Sequence, residues 1–500
     1  MFSIPVEIFR QVFEHFLKDK HSLFSCLLVN KTWCEIIVSI LWSEPFQVIK
    51  GPSATLITTY LSCLNVNERE ILIKSGIDLS NLFKRKPSFE YASFLRHLKY
   101  VDFYESSSAW LPDSNKDSTK IFTVTRELCK LFIKCSKILS LNINLELLPH
   151  PPDNADYMLI PCFPNAETSL LQLQEFNCCG TYDKKEIFIA LSQLCRNLTS
   201  LSIDYYLDDI IKTSAPTKLA QLIKSQQSLQ KFKIQTYYRS LSKIIPALES
   251  QQKTLREIEF RGINFEDEVT FAPLIACKNL ESLIFLKCDN VKNEATKPLE
   301  TAHFPKLKKL IFHVDHNPPL TLTSFIFNNN DTLQEISLGW PPIYDSQEDP
   351  KIIETIIQYC HNLIIFDAHL QIHQLKSLLI SCNKLEKLIV HGREPLNANE
   401  FLIDIGQMIP ENLRKLTVNA IWSFTPNTLK EFLDCCIAPL EDLGFPDCYA
   451  INDNHLIIFT EYAKEKGTLK NLNIKISQIT REAFEVAKFS IENIVHCGSF

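Results

Sequence analysis

Leu280-Glu281-Ser282-Leu283-Ile284-Phe285 decides how the chain is read, because its pattern of Leu-x-x-Leu-x-apolar keeps returning. Downstream it reads Leu307-Leu310-Phe312, Leu333-Ile336-Leu338, Leu363-Phe366-Ala368, Leu385-Leu388-Val390, Leu413-Leu416-Val418, Leu440-Leu443-Phe445 and Leu469-Leu472-Ile474. Upstream lie Leu255-Ile258-Phe260, Leu229-Phe232-Ile234 and Leu198-Leu201-Ile203, then less regular copies at Leu173-Phe176-Cys178, Ile138-Leu141-Ile143 and Leu95-Leu98-Tyr100. From Leu198 onward, successive first leucines stand 22 to 31 residues apart. Between the anchors run stripes with helical spacing, such as Ile352, Ile353, Ile356 and Ile357, or Leu429, Phe432 and Leu433. Each unit therefore reads strand, loop, helix, loop. One such unit cannot bury its apolar face alone, so neighbours must stack. The expected fold is α/β: a right-handed solenoid with parallel strands on a concave face and helices on a convex one.

Bulk properties agree with a large folded chain. Five hundred residues exceed one ordinary core, and 45% apolar with 22% charged residues is globular composition. The net charge of −6 gives a phosphate backbone no general attraction, so a nucleic-acid partner is not expected. Glycine is scarce, ten in all, and neither G-x-G-x-x-G nor G-x-x-x-x-G-K-[ST] occurs. Nucleotide-dependent chemistry thereby loses its usual sequence warrant.

The seventeen cysteines form no C-x-x-C pair and no zinc spacing, so neither metal nor cofactor is expected. Cys135, Cys195, Cys277, Cys360 and Cys382 each stand three residues before a first anchor, where a small buried hydrophobe suits a helix turning into a strand. The start Met1-Phe2-Ser3-Ile4-Pro5-Val6-Glu7 has no basic segment of a secretory signal, and no apolar run reaches membrane-spanning length. Reduced thiols in the cytoplasm or nucleus, away from a membrane, are the expectation.

Ahead of the repeats, Ile8, Phe9, Val12, Phe13, Phe16 and Leu17 form a wide helical stripe. Ser22 is positioned to cap a second helix with Leu23, Cys26 and Leu27, and Trp33, Ile37, Ile40 and Leu41 form a third. Three short helices make a marginal core, which calls for a partner or a docked neighbour. The ordered pieces Ile4-Pro5-x-Glu7-Ile8, Val12-Phe13-x-x-Phe16-Leu17, Leu28-Val29-Asn30-Lys31-x-Trp33 and Leu41-Trp42 resemble the F-box motif over its whole length. Ile4 stands where that family more often has Leu.

The resemblance implies docking onto the Skp-type adaptor of a cullin–RING ubiquitin ligase through Ile4, Pro5, Ile8, Val12, Phe13, Leu28, Val29 and Trp33, some of which must instead pack the segment's own core. The following units resemble leucine-rich repeats, and Cys448-x-x-Ile451-x-Asp453-x-x-Leu456 is similar to the cysteine-containing repeats common in F-box proteins. The expected organisation is an F-box over 1–45, a linker with irregular early repeats over 46–165, and a solenoid over 166–500. Two stretches read as loops, Glu105 to Ser118 and Pro149 to Pro164.

No catalytic constellation emerges. His369-x-x-x-His373 lacks the Glu of an H-E-x-x-H site and His369 falls on an expected strand, while Cys178-Cys179 and Cys435-Cys436 lack ligands at metal spacing. The expected function is client recognition for a ubiquitin ligase, a non-enzymatic role; the alternative is a repeat scaffold outside any ligase. Outward strand positions nominate a client-binding strip of Ile284, Leu286, Ile311, Ile365 and Ile389, edged by His313, His369 and His391. The identity of the client is not encoded in these patterns.

Overall fold

A computed structural model describes residues 5–17, 19–80, 82, 87–113, 117–144, 148, 159–180, 184–205, 214–236, 241–265, 269–314, 319–339, 350–475 and 477–497. It comprises two compact units, Met1–Leu255 and Arg256–Phe500.

The first unit opens with helices α1 (Val6–His15), α2 (Lys20–Leu27) and α3 (Lys31–Leu41). Pro5 precedes α1 as its cap residue. Asp19, rather than Ser22, caps α2: its carboxylate accepts the Ser22 backbone N–H at 3.1 Å. Asn30 caps α3 by accepting the Trp33 N–H at 2.9 Å. Each cap satisfies a donor that a helix start leaves unpaired. Phe13, Leu23, Ile36, Ile37 and Ile40 are buried together between the three helices.

The chain continues through α4 (Pro45–Val48), α5 (Ala54–Ser62) and α6 (Val66–Lys74) to β1 (His97–Lys99), α7 (Tyr100–Trp110) and α8 (Ser118–Cys135). The expected loop from Glu105 is therefore helix as far as Trp110. Its serines serve a packed interface: Ser106 and Ser107 are buried, and Ser106 Oγ accepts the Ser53 N–H at 3.1 Å. Small side chains let α7 approach α5 closely, and the Ser106 hydroxyl is hydrogen-bonded across that contact. Trp42, Tyr60, Phe103 and Phe132 pack ring against ring, with Tyr60–Phe132 and Phe103–Phe132 centroids 4.8 Å apart. Residues 149–158 of the second expected loop lie outside the described residues; the stretch after them forms a short 3₁₀ turn, Ile160–Cys162.

Strands β2 (Ser140–Asn144), β3 (Glu175–Gly180), β4 (Ser200–Tyr205) and β5 (Lys231–Thr236) follow β1 in order, each parallel to the last. Leu98, Leu141, Phe176, Leu201 and Phe232 are register partners, so the less regular early anchors belong to the same row as the regular ones. One recurrent hydrogen-bond device pins that register. The carbonyl just ahead of each strand accepts two consecutive N–H groups of the next repeat: Arg96 takes Leu139 and Ser140, Leu139 takes Gln174 and Glu175, and Gln174 takes Thr199 and Ser200, all at 2.7–3.1 Å. The series begins at Ser43, whose carbonyl accepts Arg96 and His97 at 2.9 and 3.1 Å. The helical segment thus feeds the first strand directly and serves as its docked neighbour.

The second unit holds β6 (Glu257–Arg261), β7 (Ser282–Cys288), β8 (Lys309–Val314), β9 (Glu335–Gly339), β10 (Ile365–His369), β11 (Lys387–His391), β12 (Leu396–Asn397), β13 (Lys415–Asn419), β14 (Trp422–Ser423), β15 (Asp442–Phe445), β16 (Asn471–Lys475) and β17 (Asn493–Cys497). Apart from the separate pair β12–β14, these strands are parallel and in chain order. Their anchors, from Ile258 and Leu283 through Leu388 and Leu416 to Leu472, form one buried row. Consecutive helices pack behind the strands. At one crossing Gly406 allows the helix Leu402–Met408 to meet Pro426–Cys435, since a Cβ there would lie 2.8 Å from the Phe432 carbonyl. Both units are thus α/β solenoids, and an N-terminal helical bundle opens the first.

At several turns from helix into strand the residue is buried and polar or sulfur-bearing, whereas Cys135, expected to be buried at such a turn, is exposed at the end of its helix. Cys195 donates to the Leu191 carbonyl at 3.2 Å, and Cys382 to Cys360 at 3.5 Å. Where the position is an amide, it bonds to the preceding turn: Gln226 to the Cys195 carbonyl, Gln251 to the Gln226 carbonyl, and Asn329 to the Ala302 carbonyl, at 2.9–3.1 Å. These amides perform the task expected only of the cysteines.

Candidate protein-docking surfaces

Helix α1 carries two neighbouring apolar stripes. Phe9, Phe13 and Leu17 turn inward, with Phe13 only 2% exposed. Ile8, Val12 and Phe16, one residue earlier at each turn, lie along another face and are 49%, 45% and 39% exposed. Val6 and Phe24 are half exposed, Val29 somewhat more, and Leu28, just past α2, reaches 89%. A protein normally hides such side chains, so their concentration in the first thirty residues marks an unpartnered surface.

Of the residues nominated from sequence, Pro5, Ile8, Val12, Leu28 and Val29 stand on the outside. Ile4 lies outside the described residues. Phe13 is core, and Trp33 is half-buried, its ring 5.1 Å from Phe13 and 5.7 Å from Phe9. Trp33 thus braces the helices that present the outer stripe. Val6, Phe16 and Phe24, not nominated from sequence, are exposed beside them.

The strand face of the second unit has a different character. Its register sets Glu259, Ile284, Ile311, Ser337, Asp367, Ile389 and Thr417 side by side in one row. The expected apolar strip is therefore interrupted: Ser337 and Asp367 separate Ile311 from Ile389, and Ile365 lies one row away. Ile284 is buried, whereas Leu286, Ile311, Ile365 and Ile389 are half-buried.

A polar network occupies the interruption. His313 Nε2 contacts Ser337 Oγ at 2.7 Å, Ser337 donates to Asp367 Oδ2 at 2.8 Å, and His391 Nε2 meets Asp367 Oδ1 at 2.8 Å. Asn419 Nδ2 approaches His391 Nδ1 at 3.5 Å, and the His369 ring lies 5.3 Å from that of His391. Gly339 makes room for the network, because a Cβ there would sit 3.0 Å from the His313 ring. Burial pushes His369 down to about 4, helped by the nearby His391 and Arg393 charges, and burial likewise lowers His313. For Asp367 burial acts upward, but hydrogen bonds from His391 and Ser337 outweigh it and hold the carboxyl below its usual range.

Serine, histidine and aspartate here do not form a nucleophilic triad. In a triad the imidazole stands between hydroxyl and carboxylate; here the hydroxyl stands between imidazole and carboxylate and spends its proton on Asp367. Ser337 is also buried, 6% exposed. Among the described residues, no group of three or more His, Cys, Asp or Glu side chains is arranged to hold a metal, and no helix is long and apolar enough to cross a membrane. His369 ends β10 and His373 lies on the following helix, Ile372–Ser381.

A protein-family model described as F-box-like matches residues 1–48. No curated protein matches the chain. Among solved structures, the chain is similar to one in the Rad7–Elc1 complex of yeast, at 17% identity over 58% of this chain and 75% of that one, with a TM-score of 0.35. It is also similar to the plant peptide hormone receptor RGFR1 in complex with RGF2, at 9% identity, 74% and 65% coverage and a TM-score of 0.30. A third is the TLR13–ssRNA13 complex, at 14% identity, 82% and 63% coverage and a TM-score of 0.38. The chain spans less than two-thirds of the last two.

Proposed function

We propose that the protein is the client-recognition subunit of a Skp–cullin–F-box type ubiquitin ligase, acting in the cytoplasm or nucleus without catalysing a reaction itself. The observation that carries this reading is the apolar stripe of Ile8, Val12 and Phe16, with Leu28 and Val29, left exposed on the segment that matches the F-box-like family. In this reading those side chains are buried against a Skp-type adaptor, while Phe13 and Trp33 support them from beneath. The repeats hold a client, some of them of the cysteine-containing type. Catalytic benefit comes from proximity: a client held beside activated ubiquitin reacts as if at high effective concentration. The hydrogen bonds from Ser43 to Arg96 and His97 suit this role, because they join the adaptor-binding segment to the first strand without a flexible spacer.

Co-purification with the Skp-type adaptor tests the proposal, comparing the intact chain with Val12→Asp/Leu28→Asp. Both sites are exposed, so the variant keeps its circular dichroism spectrum and unfolding midpoint. Adaptor held by the intact chain and lost by the variant supports the reading. Adaptor bound by neither, or by both equally, overturns it.

A further inference from the structure

The acidic side chains on the strand face of the second unit are neutralised in two different ways. Glu259 holds Arg261 at 2.9 Å, Glu335 holds Lys309 at 2.9 Å, and Asp442 holds Lys415 at 2.5 Å. Among the described residues, Asp367 has no lysine or arginine in an ion pair; its partners are Ser337 and His391.

Counting protons shows what those partners supply. Ser337 has one hydroxyl hydrogen and gives it to Asp367, so its contact with His313 must be an N–H donated by Nε2 of that ring. His313 Nδ1 is then left as an acceptor. His391 gives its Nε2–H to Asp367, while its Nδ1 faces the Asn419 amide nitrogen and accepts. Asp367 is thus held by hydrogen bonds from Ser337 and His391, and among the described residues no lysine or arginine is ion-paired with it. Lys387, the register partner of Ile365, contributes to lowering Asp442. The carboxylate is ionised at neutral pH, held below the ordinary range against the effect of burial. It is only partly accessible, its side chain 20% exposed, and half-buried Ile311, Ile365 and Ile389 share its side of the sheet. A carboxylate fixed among apolar side chains attracts a cation more strongly than one in open water.

We infer that Asp367 receives a lysine or arginine side chain from an extended client segment, whose flanking apolar residues rest on Ile311, Ile365 and Ile389. This deepens the client-receptor reading and rests on it. An arginine suits the site well, since its planar donors match the two oxygens of a carboxylate.

The test is a library of short synthetic peptides with randomised sequence, immobilised and probed with the full-length chain. The expected result is enrichment of Lys or Arg at one position with apolar residues on either side. Asp367→Asn removes the charge, and Ile365→Lys places an internal cation two residues away on the same face; each weakens the selected peptides by at least about tenfold. Ile365→Lys leaves the His313–Ser337–Asp367–His391 network in place, so it decides the matter if Asp367→Asn lowers the unfolding midpoint. No basic enrichment, acidic enrichment, or a preference unchanged in Ile365→Lys overturns the inference. Adaptor capture by the same preparations keeps the two ideas apart: adaptor bound with no basic preference sinks this inference alone, and a basic preference without adaptor sinks the ligase reading alone.

Discussion

The helical segment at the N-terminus and the strand face of the second unit both offer side chains to a partner, but on opposite physical terms. On α1 and after α2, whole apolar side chains stand in water, Leu28 almost completely. Burying them yields a large, non-directional gain that depends on area and fit. On the strand face the isoleucines are already half covered, and the centre is an ordered chain of hydrogen bonds ending on one carboxylate. Such a surface contributes less through area and more through discrimination, because a poorly matched partner leaves buried polar atoms unpaired. A single adaptor met always in one way suits the first surface. The second suits a choice among clients.

This contrast is open to attack at both ends. The largest effect is expected from Phe13→Ala, which removes a buried ring between the three helices and costs about 3–5 kcal/mol. Adaptor capture should fail through loss of the helical segment, read as an early transition in thermal unfolding; an intact transition would show that Phe13 is not the keystone described. Val12→Asp/Leu28→Asp should weaken adaptor binding by at least about thirtyfold, a hot-spot loss of roughly 2 kcal/mol or more, with no early transition. A matching fall in stability would erase the distinction between the inner and outer stripes.

On the strand face, Gly339→Ala pushes against the His313 ring and should cost about 1 kcal/mol. Ring proton shifts of His313 and His391 in nuclear magnetic resonance should move with it; unmoved shifts would mean the network is not coupled through Ser337. At neutral pH the smallest effect belongs to the titrating groups, which act only on acidification. Because burial lowers His369 to about 4, the folded chain takes up that proton later than the unfolded one, so stability is full at neutral pH and falls as pH drops from about 6.5 towards 4. His369→Gln should flatten that decline in denaturant melts. The carboxyl of Asp367, also held low, adds its loss from the ordinary carboxylate range downward to its lowered folded value.

Much of this architecture was legible before any coordinates, for a definite reason. Anchors such as Leu283, Leu310 and Ile336 must be apolar and evenly spaced, since each repeat rests on the last, and even the irregular Leu98, Leu141 and Phe176 keep the register. Side-chain direction on α1 was not legible: Ile8, Val12 and Phe16 differ from Phe9, Phe13 and Leu17 by one position and hardly at all in chemistry. The polar network was hidden because its partners lie 24 to 30 residues apart. Aligning the position that follows each second anchor would have exposed the row Ile284, Ile311, Ser337, Asp367 and Ile389, and with it the gap in the supposed strip. Helix α7 is hidden in the sequence because serines favour loops as readily as the close packing they allow here.

The sulfur atoms lodged at the turns between helix and strand have a practical corollary. Ten of the described thiols are buried, and burial lifts Cys195 and Cys360 to about 12, so at neutral pH they offer almost no thiolate to an alkylating reagent. Cys135 and Cys162 lie in the open. Labelling of the native chain should therefore stop after a few sites and resume, repeat by repeat, only as turns open. The chain carries along its length a chemical gauge of its own local unfolding.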